Sequence, residues 1–222
     1  MERHLQITAD GSHTISVPDK SLTYHSKHGA IGESNHVFIQ AGLKYYIELN
    51  PDKPITLLEM GLGTGLNCLL TAVYAKEQKI NTRYHAIEAY PIPADEAVTL
   101  NYGALLAEQK MFTDIHRSAW NKTTTIHPFF ELHKYPLSLQ DFSGTELFNV
   151  IFYDAFAPSA QPELWTSSIF LQLYALLKPN GFLVTYCSKT VVRRAMEAAG
   201  FRVTKIPGPF GKREMVRAFK DA

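Results

Sequence analysis

The chain has few of the residues that hold a fold together by covalent or metal bonds. Its two cysteines, Cys68 and Cys187, stand far apart with no CxxC or Cys/His ligand spacing. They read as buried reduced thiols, which argues against a disulfide framework or a zinc site. The nine histidines are scattered and none falls into an HExxH-like pattern, so no metal is expected. No apolar run approaches the roughly 18 residues that a membrane-spanning helix needs, so no membrane partner is expected. The start, MERHLQITADGSHTISV, lacks the apolar core of a secretory signal, and a cytoplasmic enzyme is the expectation. There is no internal repeat and no low-complexity tract. A length of 222 residues fits one domain, read as an N-terminal extension over 1–50 and a core over 51–222.

There is also little net charge, only +1, but it is unevenly spread. From Lys178 onward ten Lys/Arg face three acids, a balance of +7, which leaves −6 for the rest. Such asymmetry suits either a polyanion-binding face or an ordinary solvated surface.

Apolar patterning and turn residues divide the chain into alternating elements. Asp10-Gly11 and Pro18-Asp19 punctuate short β-like runs, His13–Val17 and Ser21–His25, and predict an N-terminal β-hairpin. Ser34 is placed to cap a helix running to about Leu49, ended by Pro51 and Pro54. Strands are predicted over 55–60, 83–90, 129–135, 148–153 and 182–187, with a closing hairpin of 201–206 and 214–219. Helices are predicted over 66–78, 93–108, 162–177 and 190–199, and 109–128 reads as loop. Strands alternating with helices of this length form right-handed βαβ units and a mostly parallel α/β sheet. The closing hairpin makes the last of seven strands antiparallel, an ending that suits a class I methyltransferase better than a simple dinucleotide-binding fold.

The strongest local signal is Glu59-Met-Gly61-Leu-Gly63-Thr-Gly65-Leu-Asn67, between a strand and a helix. Glycines there let the backbone turn sharply and approach a ligand closely. Such a loop alone serves dinucleotides or S-adenosylmethionine equally. The GxGxG spacing, with an acid two residues before the first glycine, favours S-adenosylmethionine, whose sulfonium and amino groups are cationic. Glu88, closing the second strand, can accept both ribose hydroxyls of either cofactor. The fourth strand ends in Tyr153-Asp154-Ala-Phe156-Ala-Pro158, which puts Asp154 at the carboxyl rim where open α/β sheets bind ligands. A carboxylate there can orient an amine and take its proton, which a nitrogen nucleophile requires. Lys212-Arg213 on a glycine-flexed loop, and Arg193-Arg194 near a helix start, are candidate phosphate contacts. Trp120 and Trp165 are candidate base-stacking platforms, with core or rim packing the preferred reading of each.

These motifs together resemble the methyltransferase family of bacterial tRNA wobble-uridine modification, known as MnmD when it stands alone and as the N-terminal half of bifunctional MnmC. The resemblance rests on Tyr24-His-Ser26 with Gly29, Glu33-Ser34 with Val37-Phe38, and Glu59 to Asn67. It continues through Ile87-Glu88, Asp154-Ala-Phe-Ala-Pro158 with Pro162-Glu-Leu-Trp165-Thr166, Val192-Arg-Arg194 and Gly211-Lys-Arg-Glu-Met215. It implies a Rossmann-like class I fold and methyl transfer from S-adenosylmethionine to the aminomethyl nitrogen at C5 of the wobble uridine. It implies tRNA as partner, a separate enzyme that supplies the aminomethyl intermediate, and no FAD, since the oxidase half of the bifunctional form is missing. Carried over residue by residue, Glu59, Gly61, Gly63, Gly65, Asn67 and Glu88 hold the cofactor. Tyr24, Glu33 and Ser34 cover its methionine end. Asp154 engages both cofactor and amine, with Phe156 beside it. Where the family places an acid for the adenine amino group, this chain has Leu137-Ser138, so Ser138 is the candidate there.

Overall fold

The computed structural model describes residues 3–18 and 22–222. An antiparallel three-stranded sheet comes first: β1 (His4–Ile7), β2 (His13–Val17) and β3 (Leu22–Thr23). The predicted hairpin is thus widened by β1, which pairs Ile7 with His13. Part of the predicted Pro18-Asp19 turn, and Ser21, lie outside the described residues.

Next, α1 (Ala30–Ser34) runs without a break through a π-helical stretch (Asn35–Lys44) into α2 (Tyr45–Leu49). Ser34 is therefore not a cap. It lies buried inside the helix, and the N-cap is Gly29 at φ 143°. Ser12 Oγ accepts the Ala30 N–H at 3.1 Å and Asp10 accepts that of Gly32 at 2.9 Å, so the polar turn before β2 serves the helix end.

The core alternates β4 (Ile55–Met60), α3 (Leu66–Gln78), β5 (Thr82–Ile87), α4 (Ala94–Ala97), α5 (Tyr102–Leu105), α6 (Gln109–Arg117), β6 (Thr123–His127) and β7 (Phe130–Tyr135). It continues with β8 (Phe148–Tyr153), α7 (Ser167–Leu176), β9 (Leu177–Thr185), α8 (Thr190–Ala198), β10 (Arg202–Pro207) and β11 (Glu214–Phe219). The sheet order is β10-β11-β9-β8-β4-β5-β7-β6. β4, β5, β7, β8 and β9 are parallel, and β11 is antiparallel to both its neighbours. The seven expected strands are present, and β6 adds an eighth as an antiparallel edge.

Three sequence expectations give way to tertiary context. Residues 109–128, read as loop, hold α6 and β6. Met111, Phe112 and Ile115 are buried on one face of that helix, and its other face is polar. The expected helix over 93–108 breaks into α4 and α5, because the Asn101 side chain accepts the His13 N–H (2.8 Å) and donates to the Gly11 carbonyl (2.9 Å). The helix expected from Pro162 starts as a 3₁₀ turn over Pro162–Trp165 before α7.

β4 and β8, central and entirely buried apart from Asn149, send alternate residues to the two faces. Ile55, Leu57, Val150 and Phe152 meet the helices over 30–49 and α3. Leu58, Met60, Ile151 and Tyr153 meet α7 and α8. Each fully buried side chain of this kind contributes about 1.5–3 kcal/mol before entropy is counted. Glu59 lies on the first face, a carboxyl with 0% exposure at the end of a hydrophobic strand. Nothing in the packing requires an acid at that position.

Candidate functional site

The parallel strands end at one rim, where the chain crosses itself closely. Gly61, Gly63 and Gly65 all have positive φ (92°, 49° and 73°), which admits side-chain-bearing residues only with strain. A Cβ at Gly61 would stand 2.8 Å from the Asp154 carbonyl oxygen, and one at Gly65 would stand 2.7 Å from His116 Nε2. The loop thus passes directly over the turn that follows β8.

Three predicted residues meet beneath it. Asn67 Nδ2 donates to Glu59 Oε1 at 3.0 Å and to Asp154 Oδ2 at 2.9 Å, so one amide joins two carboxyls 95 residues apart. Burial pushes the Asp154 carboxyl up to about 7. The negative charge of Glu33 adds to the rise, and the Asn67 N–H and the Lys212 ammonium oppose it. Burial raises Glu59 well above the carboxylate range, against the Asn67 hydrogen bond. Glu59 Oε2 and Asn67 Oδ1 are buried acceptors without a hydrogen-bond partner. Two such buried orphans on hydrogen-bonded residues suit a cationic ligand.

Glu88 closes the loop from the other side, accepting the Gly63 N–H (2.9 Å) on one oxygen and the Tyr90 N–H (2.8 Å) on the other. Each oxygen keeps a lone pair for a further donor. Tyr24 lies against Gly63 and meets the Phe156 ring edge-on at 5.2 Å. Glu33 accepts the Ser26 N–H at 2.9 Å and pairs with Lys212 at 2.8 Å, which ties the N-terminal segment to the loop before β11.

The turn carrying Asp154 and Phe156 is braced from both sides. Trp165 Nε1 donates to the Phe156 carbonyl (2.8 Å), Gln161 accepts the Phe156 N–H (3.1 Å), and the Tyr186 hydroxyl donates to the Ala155 carbonyl (2.8 Å). Trp165 is therefore a buried brace, packed on Tyr153, and not a stacking platform. Trp120 packs on the core beneath the Lys134 ammonium, again as rim packing. Beside the turn a cavity of about 410 Å³ is lined by residues including Pro158, Tyr186, Lys189, Lys212 and Arg213. Arg193 is drawn back to the Ser188 carbonyl at 3.1 Å, and Arg194 is exposed on α8.

Ser138 is engaged locally. Its hydroxyl donates to Asp141 at 2.6 Å and caps the turn Leu139–Asp141. Asp141, three residues on, is the nearby acid that reading the sequence at 138 overlooks. Two histidines were also missed. His116 Nε2 donates to the Thr64 carbonyl (3.1 Å), and His25 Nε2 shares a hydrogen bond with the Thr64 hydroxyl (2.7 Å). Burial pushes both down to about 4, so both are neutral clamps on the glycine loop. The buried Lys134 donates to the carbonyls of Ile115 and His116, fixing the end of α6 that carries one clamp.

Comparisons with known proteins bear on the family and the fold. A family described as S-adenosyl-L-methionine-dependent methyltransferase matches residues 110–221. The chain is similar to the tRNA 5-methylaminomethyl-2-thiouridine biosynthesis bifunctional protein MnmC of Pseudomonas savastanoi, 30% identical over 97% of this chain and 34% of that protein. The protein of the same name from Nitrosospira multiformis is 28% identical over 87% of this chain and 33% of its own length. The chain thus spans about a third of these curated relatives. Among solved structures, MNMC2 from Aquifex aeolicus superposes with a TM-score of 0.73 at 24% identity, over 98% of this chain and 70% of that one. That likeness shows a shared fold. No helix among the described residues is long and apolar enough to cross a membrane, and no cluster of metal-ligating side chains is found among them.

Proposed function

The chain belongs to the S-adenosyl-L-methionine-dependent methyltransferase family, and on that premise we propose that it methylates the aminomethyl nitrogen at C5 of the tRNA wobble uridine. The observation that carries this reading is the Glu59–Asn67–Asp154 constellation under the glycine loop. It places a carboxyl with a value of about 7 beside two unpartnered acceptors.

The residues present fit the cofactor. Orphaned oxygens on Glu59 and Asn67 would hold cationic groups, Glu88 would take the ribose hydroxyls, and the positive φ of the loop glycines would let the backbone turn closely around the ligand. Asp141 joins Ser138 as the acceptor for the adenine amino group. When bound, S-adenosylmethionine supplies an electrophilic methyl carbon on a sulfonium. Asp154 takes the proton that the acceptor must lose, because an ammonium has no lone pair. A value near neutrality lets Asp154 accept that proton and return it to water in each turnover. Tyr24 and Phe156 exclude water from the face where the nitrogen approaches.

Residues 1–50 and 51–222 act as one unit in this reading, since Glu33 and Tyr24 complete a site whose base stands on β8. Lys189, Lys212, Arg213 and Arg194 supply the tRNA phosphate contacts. The names of the MnmC relatives support tRNA as the substrate, and a separate enzyme supplies the aminomethyl group. The test is transfer of labelled methyl to tRNA bearing 5-aminomethyl-uridine, read by nucleoside mass analysis. Product at that nucleoside, with affinity falling steeply as salt rises, is the expected result. Transfer only to small amines, indifferent to salt, would refute it.

A further inference from the structure

Lys212 is one of the residues lining the cavity beside the Ala157-Pro158 turn that follows Asp154. Its ammonium makes two contacts, at 2.8 Å from Glu33 Oε1 and 3.9 Å from the centre of the Tyr186 ring. A carboxylate and an aromatic face are the two surfaces that hold a primary ammonium when water is partly excluded.

Both surfaces are fixed without Lys212. The second oxygen of Glu33 accepts the Ser26 N–H, and the Tyr186 hydroxyl donates to the carbonyl of Ala155, the residue directly after Asp154. The occupant is the less anchored partner. The Lys212 side chain is 37% exposed against 14% for Glu33, and it follows Gly211 at φ 83°. The end of a lysine and an aminomethyl substituent present the same group, an ammonium on a methylene carbon. Lys189 and Arg213 line the same cavity, so a phosphate arriving there would find Lys212 among its nearest cations.

We infer that Glu33 and the face of Tyr186 form a primary-ammonium subsite at the edge of this cavity, occupied in the free protein by Lys212 and taken over by the substrate's aminomethyl group when tRNA phosphate draws Lys212 outward. The subsite rests on the aminomethyl-uridine reading above. It explains why a half-buried acid on the first helix and a basic loop before the last strand belong to one site. It also makes a free nucleoside a poorer substrate than tRNA, because the nucleoside brings no phosphate to displace Lys212.

Methyl transfer is measured on free 5-aminomethyl-uridine and on tRNA carrying it. If the wild-type protein fails on both, the functional reading falls, whatever the subsite does. Given wild-type turnover, Lys212→Met is expected to lower KM for the nucleoside about fivefold, the size of one half-exposed ion pair with a ring contact. The same change raises KM for tRNA, and Glu33→Gln raises KM for both substrates. A nucleoside KM that is unchanged or raised in Lys212→Met overturns the subsite. A crystal of the wild-type protein with the nucleoside bound gives an independent readout. Lys212 displaced from Glu33 supports the exchange, and Lys212 still seated on Glu33 refutes it.

Discussion

On one side of Asp154 the rim is made of backbone, and on the other it is made of side chains from distant segments. The cofactor side is a single strand–loop–helix run, Ile55 to Gln78, whose glycines pass within contact of the Asp154 carbonyl and the His116 ring. Its shape is set by positive φ angles and by clamps on both ends of Thr64. The acceptor side joins Glu33 to Lys212, 179 residues apart, through a partly exposed ion pair. Backbone packed this tightly has one arrangement, whereas an ion pair of that exposure is worth about 0.2–1 kcal/mol and can exchange partners. On the proposed function, the fold would hold the methyl donor in a rigid cradle and meet the acceptor with a replaceable contact.

The largest effect is expected at the residue between the two sides. Asp154→Asn keeps the Asn67 hydrogen bond available but removes the proton acceptor, and kcat should fall by about 10²–10⁴. Calorimetric affinity for S-adenosylmethionine should change little by comparison. An equal loss of both would assign Asp154 to the cradle. The wild-type rate should rise with pH and level off above about 7, because below that value burial keeps the carboxyl protonated. Asp154→Asn should flatten that profile. The next largest effect isolates the cradle. Gly65→Ala puts a Cβ 2.7 Å from His116 Nε2 at a φ of 73°, a strain of about 1–3 kcal/mol. The cofactor Kd should weaken about tenfold or more by calorimetry. Undiminished affinity would show that the loop geometry does not govern binding.

The same contrast decides what the sequence could reveal. The bounds of β4, β8, β11 and α3 coincide with those expected, because each is an uninterrupted apolar or periodic run bordered by Gly, Pro or a charged turn. The strand–glycine loop–helix run was legible for the same reason, being local in the chain. Helix α6 and strand β6 were not, since nine polar-rich residues and a half-exposed edge strand carry little apolar signal. Spacing Met111, Phe112 and Ile115 against a helical period would have found α6. Ser34 was misassigned because capping chemistry at its position is outcompeted by Asp10 and Ser12, which reach the helix start from another element. The acceptor side was legible only as separate residues. That Glu33 pairs with Lys212, or that His25 reaches Thr64, depends on segments brought together by the sheet.

The smallest effect expected is on stability, and it tests whether the acid at the boundary is held at a cost. Burial raises the Asp154 carboxyl from 3.8 to about 7. A carboxyl whose folded value exceeds its unfolded one destabilises the fold progressively as pH rises between those two values, and by a constant amount above the higher one. Asp154→Asn removes that cost while keeping shape and hydrogen bonding. With partial solvent access to Asp154, about 1 kcal/mol is expected, which raises Tm by about 2–4 °C in a chain of this length. The gain should be full at pH 8 and should shrink as pH is lowered from 7 toward 4, where the wild-type carboxyl is protonated in the folded state. A Tm difference independent of pH across that window would mean that the carboxyl titrates normally. The base between the rigid and replaceable sides would then owe its function to position alone.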